Sequence, residues 1–295
     1  MKLLRAATLT TLNPDAAAAC YGEWFGYTLA EAGTVPALLA ESWGTPGAAG
    51  QRYCVCAPAS GAPVFLRFVQ GDSPDAYRPL RSFGWAAIEI CVQDVVAVAA
   101  RLRDSPFTVI GPPARLDGLP SICAMQVRGP DQEIVFLTQI DADPPGMALP
   151  RAGSPVDMLF ILVLACSDMA ASRRWFAEVM GLEPGPDVAL EYGVLSDAFG
   201  LAADHKHRIA TLSHVADVFL EMDQYPAGAA ARPCWPGALP PGVAIATLLA
   251  PDMGALRDAP WITRPCHMGG VLYGGLAAGT LRAPDGSLVE VVGVL

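Results

Sequence analysis

Histidine is scarce in this chain, with four in 295 residues, and the eight cysteines include no C-x-x-C pair and no paired zinc spacing. That leaves no basis for a zinc finger or a dithiol redox motif. Several cysteines fall in apolar stretches, where a free thiol is a small core residue, so a reducing, cytoplasmic setting is expected. Positive charge is also short, 19 Lys and Arg against 29 Asp and Glu, for a net charge of −10. A chain so acidic has no basic face to offer nucleic acid or an anionic membrane. The unbroken apolar run at residues 158–166 is too short to span a bilayer. The first residues lack the hydrophobic region of a signal peptide. No Gly-x-Ser-x-Gly elbow and no glycine-rich strand–turn–helix occur, which removes the usual hydrolase and dinucleotide readings.

What is present is a repeated phrase. Residues 156–184 give a buried apolar strand, then the cap residues Ser167 and Asp168, then a helix with Trp175, Phe176, Val179 and Met180 on one side. Gly181 closes that helix from the left-handed region. The start of the chain runs in the same order: a strand through Leu12, Asn13-Pro14-Asp15, a helix with Tyr21, Trp24 and Phe25, then Gly26. A second phrase, GPDQEIVFL at residues 129–137, returns as APDGSLVEV at residues 283–291. Both pairs share an offset of roughly 155 residues, which points to a duplicated half. The aromatic residues at helical spacing are expected in the core.

Within each half the strand and turn signals repeat again, so the chain divides into four β-α-β-β-β modules. In the first, strands are expected near residues 4–12, 27–31, 37–43, 52–57 and 64–69, and Asp94 caps the helix of the second. Residues 141–155 are proline-rich and aperiodic and are expected to link residues 1–140 to residues 156–295. A second proline-rich crossover, residues 226–241, separates the third and fourth modules, and Trp235 within it is a candidate lid over the C-terminal cleft.

Residues 167–182 (SDMAASRRWFAEVMGL) resemble the helix of the vicinal oxygen chelate superfamily, which includes glyoxalase I, bleomycin-resistance proteins and extradiol dioxygenases. Residues 283–291 are similar to that superfamily's last strand. The resemblance implies an α+β protein of four βαβββ modules arranged as two glyoxalase-like domains, each with curved sheets around a cleft. It also implies metal ligands on the first and last strands of each module. At the first-strand places this sequence has Ala6, Ala87, Ile161 and Ile245, none of which can bind a metal, and at the last-strand places it has Arg67, Phe136, Glu221 and Glu290.

Pairing modules within each half gives an N-terminal cleft of Thr8, Thr10, Arg67, Glu89 and Phe136, with Gln126 nearby. There Arg67 faces Glu89 or takes a ligand carboxylate in bidentate fashion. The C-terminal cleft then holds Glu221 and Glu290 beside Ile161, Val163, Ile245 and Thr247. Two carboxylates in one apolar cavity would raise each other's pKa and suit general acid–base chemistry or a carboxylate metal site. His205 and His207, at i and i+2, offer a displaced metal site with Glu221, so the cofactor is either a divalent metal held by Glu221, Glu290 and His207 or none. Against these stand plainer readings: an ion pair plugging a vestigial cleft, an exposed Glu290, and a Glu221 paired with Arg232 or His207.

The expected function is binding of a small oxygenated metabolite in an inter-module cleft. Whether the metabolite is transformed by a lyase- or isomerase-type reaction is open. The missing histidines argue against a dioxygenase of the extradiol type. The alternative is a non-catalytic small-molecule binder like the bleomycin-resistance proteins. The expected partner is a small molecule, with a homodimer left open.

Overall fold

The computed structural model describes residues 2–250 and 252–295. The first module contains β1 (Leu4–Thr11), α1 (Pro14–Phe25), β2 (Thr28–Thr34), α2 (Ala37–Ser42), β3 (Arg52–Ala57) and β4 (Phe65–Gln70). The second contains β5 (Gly84–Val92), α3 (Val95–Arg101), β6 (Thr108–Leu116), β7 (Leu119–Arg128) and β8 (Ile134–Ile140). The third contains β9 (Val156–Cys166), α4 (Met169–Met180), β10 (Glu183–Glu191), α5 (Gly193–Phe199), β11 (Lys206–His214) and β12 (Asp217–Gln224). The fourth contains β13 (Gly242–Leu249), β14 (Cys266–His267), β15 (Ala277–Arg282) and β16 (Leu288–Gly293). Here the helix shrinks to a 3-10 turn, Met253–Leu256, capped by the Asp252 carboxylate.

The caps behave as the sequence predicts. Asn13 Oδ1 accepts from the Ala16 amide at 3.2 Å, and Asp168 Oδ1 accepts from Ala171 at 3.0 Å. Asp94 serves two amides, those of Val96 and Ala97, at 2.9 Å each. Each side chain satisfies amides that the first helical turn leaves free, typically worth ~1 kcal/mol. Gly26 and Gly181 end α1 and α4 at φ of 76° and 65°, where a Cβ is costly.

The modules assemble into two curved eight-stranded sheets, but not by halves. One sheet runs β14-β15-β16-β13-β1-β4-β3-β2, and the other runs β10-β11-β12-β9-β5-β8-β7-β6. The first module therefore pairs with the fourth through β1 and β13, and the second pairs with the third through β5 and β9. The sequence expectation, first with second and third with fourth, is corrected at this point. Alternation along a strand fixes which side chains share a face but carries no information about which strand lies beside it.

The repeated Pro-Asp phrases then acquire a role. Asp131, in the second module, accepts from the Leu12 amide and the Thr11 hydroxyl of the first. Asp285, in the fourth, accepts from the Ser167 amide and hydroxyl of the third. The same bond is made twice and ties one sheet to the other.

Between the sheets lies the largest apolar core, into which Tyr21, Phe25, Trp85, Phe107 and Phe176 are buried from the helices and both sheets. Ile88, Ile90 and Val92 face this core, whereas Ala87 and Cys91 face the opposite side of their sheet. Trp24 and Trp175 pack against it part-buried, as helical spacing predicts.

Each sheet has a second, concave face with a core of its own. Residues 37–43, expected as a strand, form the helix α2 and the following Trp43. Pro36 opens that helix and Ala, Leu and Glu continue it, so helix propensity prevails where the apolar run has no period. Trp43 is fully buried in the concave core of the first sheet. In the second sheet α5, a helix the sequence reading did not place, covers the equivalent face with Leu195. Among the described residues no helix is long and apolar enough to cross a membrane.

Candidate functional site

The last-strand ligand places implied by the resemblance lie on the concave faces, one pair in each sheet. In the sheet of modules one and four, β1 carries Thr8 beside Arg67 of β4, and β13 carries Thr247 beside Glu290 of β16. Arg67 is 2% exposed and Glu290 is fully buried. Arg67 Nη2 donates to Glu290 Oε2 at 2.9 Å, Nη1 to the Tyr273 hydroxyl at 2.6 Å, and Nε to Thr8 Oγ1 at 2.8 Å.

Glu290 also accepts from Trp43 Nε1 at 2.7 Å, Tyr273 OH at 2.9 Å and Thr247 Oγ1 at 2.8 Å. The Arg67 guanidinium lies 4.5 Å from the centre of the Trp43 ring. Burial alone would lower its pKa, and the Glu290 charge with the Tyr273 oxygen outweighs that, so it is held above the ordinary arginine value. A charge buried this deeply persists because each partner is neutralised and its hydrogen bonds are filled. The cavity left beside Trp43, Arg67 and Tyr273 is about 40 Å³, room for a water or two.

The other concave face has the opposite character. Glu89 of β5, 8% exposed, stands next to Phe136 of β8 and accepts from Thr138 Oγ1 at 2.6 Å. On β12, Glu221 is half-buried and Asp223 is 2% exposed, both on the cleft side beside Val163 and Ala165. Burial, then the charges of Asp223 and Glu89, push the Glu221 carboxyl well above the ordinary carboxylate range. Burial raises Asp223 to about 8 and Glu89 to about 7.

Glu221 and Asp223 stand two residues apart on one strand face, close enough that each influences the other's protonation. Asp223 Oδ1 and the Tyr225 hydroxyl are buried without a partner. The Tyr192 ring packs edge-on against Phe136 and against His207. His207 Nε2 and Ser196 Oγ of α5 are 2.9 Å apart and share one hydrogen bond. Burial, then the neighbouring His205, lowers the His207 pKa, so its imidazole is neutral at pH 7.

The residues chosen from sequence are thus regrouped. Arg67 meets Glu290, not Glu89, and Thr8 and Thr247 join them. Glu221 is separated from Glu290 by the sheet pairing and joins Glu89 and Phe136. Gln126 of β7, beside Phe136, shares that second cleft. Thr10 pairs with Val69 of the first concave core, two residues on from Thr8, and donates to the Pro240 carbonyl at 2.7 Å. Glu290 is not exposed, and Glu221 has neither Arg232 nor His207 as a hydrogen-bond partner. Trp235 is 54% exposed in a groove between the sheets and is not a lid on a cleft.

Sequence reasoning missed Trp43, Tyr273 and Asp223, and weighed Ser196 only beside Asp204 and His205 in a hydrolase reading that it set aside. Asp223 had a usable signal, since it lies two residues beyond Glu221 and therefore on the same strand face.

No protein-family model matches the sequence, and no curated protein matches it. Solved structures do. Glyoxalase I from Zea mays superposes with a TM-score of 0.63 at 17% identity, covering 99% of this chain and 92% of that one. A point mutant of the same maize enzyme gives 0.65 at 17% identity, again with 99% and 92% covered. A proposed dioxygenase from Bacillus subtilis gives 0.63 at 12% identity, covering 98% of this chain and 84% of that one. The chain has the vicinal oxygen chelate fold.

That fold implies a metal between the first and last strands of paired modules, and the side chains here do not fit one. In the first cleft Ala6 and Ile245 hold the first-strand places, and a guanidinium bonds the carboxylate that a cation would need. In the second, Ala87, Ile161 and Phe136 hold three of the four places and only Glu221 offers an oxygen. Among the described residues no three His, Cys, Asp or Glu side chains are grouped to hold an ion. The expected metal set of Glu221, Glu290 and His207 is corrected on the same ground, because its two carboxylates belong to different sheets.

Proposed function

We propose that the chain binds a small oxygenated metabolite in the cleft of the second and third modules, and that Glu221, Asp223 and Glu89 supply protons or hydrogen bonds to it. One observation carries this reading. Buried Glu89 and Asp223 and half-buried Glu221 share one face with no cation beside them among the described residues, and two polar atoms there, Asp223 Oδ1 and the Tyr225 hydroxyl, are buried without a partner. A protonated carboxyl donates to a ligand carbonyl or hydroxyl as a carboxylate cannot. Carboxyls raised into the range about 7 to 8 exchange protons readily near neutral pH, which suits abstraction next to a carbonyl. Glu221 and Gln126 keep part of their surface open, so the acids are within reach of a ligand at the rim. The eight cysteines are free thiols, which favours a cytoplasmic setting for this activity.

The alternative is binding without chemistry. It is favoured by α5, whose Leu195 packs into the cleft core and leaves little room for a reacting ligand. Transfer of deuterium from D2O to the α-carbon of a panel of small 2-oxo and 2-hydroxy compounds, followed by NMR, separates the two. Exchange that falls at least a hundredfold in Glu221→Gln supports proton transfer. Shifts of the Tyr192 and Tyr225 signals without exchange support binding alone. A panel that gives neither would defeat both.

A further inference from the structure

A second opening lies where the two sheets meet, at the margin of the first concave face, whose Ala244 and Leu288 help to line it. We infer that this groove is a binding site for a small organic anion, one carboxylate or phosphate on an aromatic or aliphatic body. The groove encloses about 370 Å³, within the ordinary size of a ligand pocket. Its walls come from the start of β5, from β13 and β16, and from the crossover that carries Arg232 and Trp235.

Charge indicates what it takes. Arg232 directs Nε to the Phe83 carbonyl, Nη1 to those of Pro241 and Val243, and Nη2 to that of Trp85, at 2.6–3.2 Å. Carbonyls hold the guanidinium in place without cancelling its charge. Arg282, exposed at the end of β15, makes one long bond to the Gly286 carbonyl at 3.4 Å and has no acidic partner among the described residues. The acid that lines the groove, Asp285, is committed to the amide and hydroxyl of Ser167. A positive groove on a chain of net charge −10 is a local feature, and it selects anions.

Hydrogen-bonding capacity points the same way. Thr45 and Ser287 lie in the groove wall, 4% and 5% exposed, and neither hydroxyl has a partner. A buried hydroxyl left unpaired calls for a reason, and an oxygen-bearing ligand in this groove would supply one. Phe83 and the exposed Trp235 supply a flat apolar wall for the body of the ligand.

The test uses the full chain with phenyl phosphate, benzoate, inorganic phosphate and benzylamine as probes. Binding is read by equilibrium dialysis and by Trp fluorescence, with Trp235→Phe identifying the reporter. The two aromatic anions should bind and benzylamine should not. Arg282→Gln, an exposed substitution that leaves the melting temperature unchanged, should weaken them at least tenfold. The pair Thr45→Val with Ser287→Ala should weaken them by about threefold, while Glu221→Gln in the other cleft should leave them unaffected. Equal binding of benzylamine, or anion binding that Arg282→Gln does not alter, overturns the proposal. Equal affinity for inorganic phosphate and phenyl phosphate overturns the role given to Trp235.

Discussion

The two concave faces are built from one kind of module and occupy corresponding places, yet one holds a cation against an anion and the other gathers three acids. In the first, Arg67 and Glu290 neutralise each other, and Thr8, Trp43, Thr247 and Tyr273 fill their remaining hydrogen bonds. Each Arg67 nitrogen and each Glu290 oxygen thus has a partner, and a ligand would have to displace those partners to reach them. In the second, Glu89, Glu221 and Asp223 are held without a counter-charge, so protons and not arginines do the neutralising. Opposite charges lock a cleft, whereas like charges keep a titratable reserve in it.

Breaking the locked cleft should have the largest effect. Glu290→Gln leaves Arg67 charged and buried without its anion, and should cost ~3–5 kcal/mol in urea unfolding. Combining Arg67→Met with Glu290→Leu should restore much of the loss, because an apolar replacement removes both desolvation penalties. A loss under about 1 kcal/mol in the single variant would show that the pair does not hold the cleft.

The acid cleft should appear in the dependence of stability on pH. Its carboxyls hold protons more tightly in the folded chain than in the unfolded one. Between the ordinary carboxylate range near pH ~4 and the folded values of about 7 and 8, the native state therefore binds more protons. Stability is full below that window and falls as pH rises through it, by up to ~1.4 kcal/mol per pH unit for each such group. Glu89→Gln and Asp223→Asn should each flatten the fall and stabilise the protein at pH 8, by roughly 3 kcal/mol or more on that slope. Glu133, raised to about 7 by burial beside Tyr21, contributes to the same window from outside both clefts, and Glu133→Gln measures its share. Stability that rises from pH 5 to pH 8 would contradict the protonated cluster.

The smallest change is Trp43→Phe, which keeps the ring but removes one donor to Glu290, and should cost about 1.5 kcal/mol in thermal unfolding. The same substitution should not alter proton exchange in the other cleft. Parallel changes in both clefts would dissolve the distinction between them.

Much of this was legible in local sequence. Asn13, Asp94 and Asp168 marked helix starts, Gly26 and Gly181 marked stops, and the Pro-Asp phrases exposed the duplication, because caps and turns depend on neighbours a few residues away. The six-residue helix α2 was hidden because a short apolar run has the same composition in a strand and in a buried helix. Site membership was hidden for another reason. Arg67 and Glu290 are 223 residues apart, and nothing along the chain indicates that β4 and β16 enter one sheet. The faces of Arg67, Glu89, Glu221 and Glu290 could be read, but not their partners.

The strand order also bears on how the molecule is made. Leu4 of β1 pairs with Leu248 of β13, so one flank of the first strand stays bare until β13, far along the sequence, has left the ribosome. At 5–20 residues per second that interval is on the order of 10–50 s, during which an apolar edge is open to wrong neighbours. The inner pair, β5 with β9, closes across a far shorter stretch and can mature first, giving the outer pair a finished surface to settle on. A nascent chain of this design needs shelter at its beginning, not at its middle.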